Sequence, residues 1–119
     1  MKVLATGLNI EDIMNGIGRR IGTSLTATKE APVVLGQEFS GTVEKIGSKV
    51  KKFKEGDAVL GHKLPLRVRY GSWAEFVAIG EGSLIHKPDN YTFPQAAALP
   101  MQVTSHYSVR SIKWTNIVF

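Results

Sequence analysis

The chain has 119 residues, 43% hydrophobic and 21% charged, enough for one domain that hides roughly two thirds of the surface its unfolded form exposes. Collagen-like and disordered classes are excluded by that composition, and no apolar run approaches the roughly 20 residues a bilayer span needs. The absence of cysteine removes disulfides, thiolate nucleophiles, iron–sulfur clusters and every cysteine-containing zinc site, while a net charge of +5 raises the question of nucleic acid.

The start shows no signal-type apolar stretch before Glu11 and Asp12, so an intracellular, cytoplasmic protein is expected, with an organellar address left open. Asn9 can cap a helix. Glu11 and Asp12 fall in its first turn, where the helix dipole favours acids, and Ile10, Ile13, Met14 and Ile17 follow helical spacing until Gly16 and Gly18 stop it. Residues 19–32, rich in Gly, Ser, Thr and Lys, read as a loop.

From Val33 the pattern turns to β. Residues 33–35 lead into a strand at 38–46, and Ala58-Val59-Leu60-Gly61 follows a Gly56-Asp57 turn. Trp73, Glu75, Val77 and Ile79 alternate with Ala74, Phe76 and Ala78, which predicts a strand over 73–79, and residues 84–87 form another short one before Pro88. Thr92 and Gln95 then stand in a capping-box arrangement ahead of Ala96-Ala97-Ala98-Leu99, and Pro100 separates this helix from a second helical stretch over 101–112. The fold class expected is mainly β with flanking helices (α+β), its four or five short strands closing into a small barrel or sandwich.

The positive charge is densest at Lys45, Lys49, Lys51, Lys52 and Lys54, with Arg67 and Arg69 further on. Only Phe53 interleaves, at the spacing of a core anchor, so a solvated lysine turn is expected and no nucleic-acid partner. His62, His86 and His106 form no ligand pattern, and no metal is expected. Gly16-x-Gly18-x-x-x-Gly22 imitates a dinucleotide fingerprint, but it follows a helix and opens a loop, where a pyrophosphate would need a strand before it and a helix after.

Particular residues in order carry more. Gly7-Leu8-Asn9-Ile10-Glu11-Asp12-Ile13-Met14, Leu35-Gly36-Gln37-Glu38-Phe39-Ser40-Gly41-Thr42-Val43, Ile46-Gly47-Ser48-Lys49-Val50 and Phe53-Lys54-Glu55-Gly56-Asp57-Ala58-Val59 come first. Gly71-Ser72-Trp73-Ala74-Glu75-Phe76 and Gln95-Ala96-Ala97-Ala98-Leu99-Pro100, with Thr104 beyond, complete the set. The whole resembles the catalytic domain of medium-chain dehydrogenases/reductases over roughly residues 3 to 112. The resemblance implies a GroES-like, partly open β-barrel packed against a Rossmann domain, with the active site between them.

Zinc-dependent members carry a ligand histidine in a Gly-His-Glu motif, where this chain has Gly36-Gln37-Glu38, and a cysteine that is missing here. The zinc mechanism is excluded, and the resemblance points to the zinc-independent branch of quinone oxidoreductases and the enoyl reductases of fatty acid and polyketide synthases. In that branch NADPH delivers a hydride to the β-carbon of an enone or enoyl thioester, or to a quinone, and the protein supplies position and charge stabilisation. By similarity Asn9 and Thr104 border the nicotinamide and its ribose. A helix cap is the other role open to Asn9, and a surface hydroxyl the other open to Thr104. Several relatives have a tyrosine after the first helix, where this chain has Gly16-Ile17-Gly18-Arg19-Arg20, so no catalytic group can be named. Arg19, as a charge stabiliser or phosphate contact, and Tyr107 are the candidates.

Family members are longer, with β-structure before the position of Lys2 and a cofactor domain after that of Ile112. Residues 1–112 are therefore expected to be a partial GroES-like domain and 113–119 the possible start of the missing domain, with Ile117-Val118-Phe119 opening its first strand. On that reading the isolated chain binds NADP(H) weakly or not at all and does not turn over, and an unpaired barrel edge makes it marginally stable or prone to associate. The parent would be a homodimer or part of a multidomain synthase, with no membrane partner. The alternative is a non-catalytic GroES-like module kept for protein contacts.

Overall fold

A computed structural model describes residues 1–18, 28–29, 32–63 and 70–103. Its centre is a four-stranded antiparallel sheet in which β1 (Lys2–Thr6), β2 (Glu38–Thr42), β3 (Ala58–His62) and β4 (Leu84–His86) lie side by side in chain order. β1 and β2 pair from Lys2 opposite Thr42 to Thr6 opposite Phe39, with an irregularity between Val3 and Ala5. β2 and β3 pair without a break from Glu38–His62 to Thr42–Ala58. Helix α1 (Ile10–Gly16) follows β1, and helix α2 (Phe93–Ala97) follows β4.

The first four residues of β2 are all buried, and since successive side chains of a strand point to opposite faces, both of its faces are covered. Phe39 and Val59 are completely inaccessible, and Ala96 and Ala97 of α2 are buried with them. Ser40, also fully buried, donates its hydroxyl to the Phe93 carbonyl and ties β2 to the start of α2. That helix begins as the sequence predicts, with Thr92 accepting from Gln95 N and the Gln95 side chain reaching back to Thr92 N. The chain is helical again over 99–103. A second cluster of Val43, Phe53 and Val59 is flanked by Met1, Val50 and Leu84. Phe53 is thus the anchor of the lysine turn, its ring tilted against His86 at 4.8 Å between centroids.

The mainly β fold class with short helices is observed, the described strands forming an open sheet. Four local expectations change. β1 was not anticipated. The strand expected over 38–46 ends at Thr42, after which Val43 exchanges hydrogen bonds with the Gly56-Asp57 turn. Residues 73–79 form no strand, only a bridge between Phe76 and Lys2. The reason is divided bonding: Gly71, Ser72 and Trp73 donate to the carbonyls of Val34, Gly36 and Leu35, while Glu75 and Val77 bond to Val3 and Met1 of the β1 end. A segment shared between two partners cannot run a ladder along either.

The fourth change concerns α1, which sits where predicted but presents its faces the other way. Ile10, Ile13 and Ile17 are 68%, 48% and 65% exposed, whereas Asp12 is buried. Among the described residues no helix is long and apolar enough to cross a membrane. The helix expected over 101–112, the domain boundary at 112 and the closing Ile117-Val118-Phe119 extend outside the described residues.

Candidate functional site

Glu38, the first residue of β2, is buried, and both of its carboxylate oxygens are in use. Oε1 accepts from Asn9 Nδ2 at 3.0 Å and Oε2 from the Met101 backbone N–H at 3.0 Å. One carboxylate therefore ties the start of α1 to the helical segment at 99–103. Room for it is made by Gly7, since a Cβ there would lie 2.2 Å from Glu38 Oε1. The Glu38 carbonyl is held as firmly, accepting from Gly7 N and from one of two hydroxyls, Thr6 Oγ1 at 2.8 Å and Ser72 Oγ at 3.2 Å, which share a hydrogen bond of 2.7 Å with each other.

Asn9 caps α1 with an extended backbone (φ −115°, ψ 161°). Its backbone N–H is received by Asp12 Oδ2 at 3.0 Å, while Asp12 Oδ1 accepts from Gly36 N at 2.9 Å. Burying Asp12 is thus the physical cause of the inverted helix, because its carboxylate serves two backbone donors that would otherwise be lost inside. Gly36 has φ +97°, and a Cβ there would stand 2.4 Å from Trp73 Cδ1. Trp73 in turn donates from Nε1 to the Gly7 carbonyl at 3.3 Å.

Between Gly36 and Glu38 lies Gln37, buried, with its backbone carbonyl accepting from Lys63 N and neither Nε2 nor Oε1 hydrogen-bonded among the described residues. Lys63 itself is partly buried. It donates from Nζ to the Tyr70 carbonyl at 2.7 Å, and desolvation lowers its pKa from the usual lysine value.

Of the site residues predicted from sequence, Asn9 stands in this cluster, as helix cap and as a side chain fixed by Glu38. Arg19, Thr104 and Tyr107 lie outside the described residues, Thr104 immediately after Val103. Sequence reasoning missed the roles of Asp12, Gln37 and Glu38 although it quoted all three within motifs. The available signal was that acids and amides flank Gly36 in an otherwise apolar and small-residue stretch. Among the described residues no group of three or more His, Asp or Glu side chains could hold a metal.

A family profile, the alcohol dehydrogenase GroES-like domain, matches residues 1–89. The chain belongs to that family. This GroES-like chain is 38% identical over 111 residues to the 2-methylene-furan-3-one reductase of Solanum lycopersicum, covering 90% of itself and 28% of that protein. It is also 38% identical over 107 residues to the chloroplastic NADPH-dependent alkenal/one oxidoreductase of Arabidopsis thaliana, covering 87% and 27%. Among solved structures it matches an alcohol dehydrogenase superfamily protein from Novosphingobium aromaticivorans with TM-score 0.76 and 28% identity, over 90% of this chain and 31% of the other. The medium-chain dehydrogenase/reductase resemblance carried by the motif order is borne out. The chain spans only 27–31% of the length of these proteins.

Proposed function

We propose that this GroES-like chain forms the substrate-side wall of a zinc-independent, NADPH-dependent reductase acting on a conjugated carbonyl, either an enone or an enoyl thioester, or on a quinone. The observation that carries the reading is the Glu38 clamp, which holds the Asn9 amide and the helical segment at 99–103 on one buried carboxylate. The names of the two reductase relatives support it.

The donor set suits the cofactor's nicotinamide riboside half. Asn9 presents a neutral amide; Glu38 engages one of its N–H groups and so fixes the plane in which the other lies. Neutral donors held by a carboxylate suit a carboxamide or a ribose hydroxyl and would repel nothing there, whereas phosphates call for cations or a helix N-terminus. When bound, the reduced nicotinamide supplies the hydride. Asn9 then acts by orientation, with Glu38 and Asp12 as positioning residues that keep α1 and Gly36 in register. Thr104 offers its hydroxyl to the same riboside half, and Arg19 or Tyr107 stabilises the enolate. Most of the dinucleotide is bound outside these 119 residues, so the isolated chain is expected to be inactive.

The test is NADPH titration by nicotinamide fluorescence on residues 1–119 and on the full-length protein, followed by turnover of enones, enoyl thioesters and quinones. Binding and turnover by the full-length protein alone is the expected result. Full-length protein that neither binds NADPH nor reduces any of the three classes refutes the proposal and favours a non-catalytic module.

A further inference from the structure

We propose that Lys63 binds the carbonyl oxygen of the conjugated substrate and gives that oxygen its proton as the hydride arrives. The inference rests on the reductase reading above and adds the acid that reading lacks. Lys63 follows β3 directly and donates its backbone N–H to the Gln37 carbonyl, so it stands opposite Gln37 at the edge of the cluster. Both chain neighbours of Gln37 are tied to the start of α1, Gly36 through Asp12 and Glu38 through Asn9. One strand spacing, about 4.8 Å, thus separates the Lys63 backbone from the segment that holds the Asn9 amide. The other lysines placed on the sheet belong to its far end. Lys2 pairs with Thr42, the lysine turn joins Thr42 to its partner Ala58, and Lys87 N bonds to the Ala58 carbonyl.

The Lys63 side chain is half-buried, and its Nζ is fixed by donation to the Tyr70 carbonyl. An ammonium has three N–H groups, so two remain after that bond. Among the described residues no carboxylate answers the charge. Asp12 serves Asn9 N and Gly36 N, Glu38 serves the Asn9 amide and Met101 N, and burial alone moves the Lys63 pKa, downward. Gln37 opposite it is neutral, Tyr70 meets it through a carbonyl, and His62, paired with Glu38, turns to the other face. A half-desolvated cation without a counter-ion costs folding free energy that an oxyanion arriving with the substrate recovers. Two free N–H groups on one charge suit a single oxygen, whereas a phosphate calls for several cations or a helix N-terminus. Hydride addition at the β-carbon drives the electron pair of the double bond toward the carbonyl and leaves a negative charge on its oxygen. Lys63 transfers one proton there, the resulting enol tautomerises to the saturated carbonyl, and the neutral amine takes a proton back from solvent. A quinone receives the same hydride and the same proton to become a hydroquinone. Desolvation makes this ammonium a readier acid than an ordinary lysine.

The experiment compares full-length wild type, Lys63→Met and Lys63→Arg by the Kd of NADPH and of NADH, and by kcat and KM for an enone from neutral to alkaline pH. Lys63→Met is expected to bind NADPH as the wild type does and to lower kcat by about a hundredfold, the low end of what a positioned acid contributes. Wild-type kcat should hold steady while Lys63 is protonated and fall as pH rises through its pKa, which lies below the ordinary lysine value. That fall should be absent from Lys63→Met. Lys63→Arg keeps the charge but holds its proton, so its KM should stay near wild type while kcat is low and flat with pH, and it carries the test if Lys63→Met does not fold. A Lys63→Met kcat close to wild type, or an alkaline fall that persists in both variants, overturns the proposal. Weaker binding of NADPH with NADH unchanged overturns it too, by making Lys63 a contact of the 2′-phosphate. Wild-type protein that neither binds NADPH nor turns over sinks the reductase reading and this proposal together, whereas wild-type turnover with indifferent variants sinks this proposal alone.

Discussion

Glu38→Ala removes a side chain that joins the start of α1 to the segment at 99–103, and its cost can be worked from the two bonds it makes. A hydrogen bond to a charged group contributes roughly 1.5–3 kcal/mol, and both donors lose their acceptor at once. Against this, the variant no longer holds a carboxylate out of water, which returns part of the loss, so a net destabilisation of about 3 kcal/mol is expected. At roughly 4 °C per kcal/mol for a chain of this size, Tm falls by about 12 °C.

Glu38→Gln keeps the shape but has one acceptor where two donors wait. It can still serve both if the Asn9 amide turns over and offers Oδ1 to the new NH2, so the expected cost is only about 1 kcal/mol. Urea denaturation with a far-UV circular dichroism melt measures both variants, and an unchanged m-value shows that the denatured state is not the cause. The reasoning fails if Glu38→Ala lies within about 0.5 kcal/mol of wild type, the range of ordinary surface changes. It fails equally if the two variants are alike. In the full-length protein Glu38→Gln is also expected to weaken NADPH binding more than its small stability loss would suggest, because the turned amide presents the wrong atom.

Three further outcomes follow from named contacts. Gly7→Ala places a methyl group 2.2 Å from Glu38 Oε1. It should therefore destabilise wild type by at least about 2 kcal/mol and the Glu38→Ala background by much less, a coupling that a double-mutant cycle in urea measures directly. Thr92→Ala loses the cap of α2 and should cost about 1 kcal/mol by the same assay, with Gln95→Ala in the Thr92→Ala background adding little. Glu81 accepts the Lys51 and Lys52 backbone N–H groups, which lower its pKa from the usual 4.5. Its folded-state pKa being depressed, its contribution is complete above 4.5 and is lost as pH falls through the lowered value, so the stability gap between wild type and Glu81→Gln should be flat near neutrality and close below pH 4.5.

The β-strands at Ala58–His62 and Leu84–His86 and the capped start of α2 were legible because local pattern and tertiary environment agree there. Phe53 was legible for the same reason: an aromatic alone among lysines has one place to go. The strand expected over 73–79 was not, since its alternation is real but its hydrogen bonds are split between residues 34–36 and β1, a fact set by the approach of Gly71 and Gly36 and invisible in a period of two. β1 itself buries no residue, alternating exposed and half-buried positions, so no core run announces it.

The misread positions are not scattered. Asp12 inside and bonded to Gly36, Gln37 buried with no side-chain partner among the described residues, and Glu38 buried with an amide and a backbone N–H as its side-chain partners all lie beside Gly36. Stability alone would put aliphatic residues at 12 and 37. A sequence that sets aside the hydrophobic pattern at one place, while keeping it in β3, β4 and α2, is sacrificing folding free energy there for something other than folding. Glu38→Ala and Gln37→Met separate the two components of that sacrifice. The first removes a polar group that the fold has satisfied and should destabilise; the second removes one with no hydrogen-bond partner among the described residues and should not.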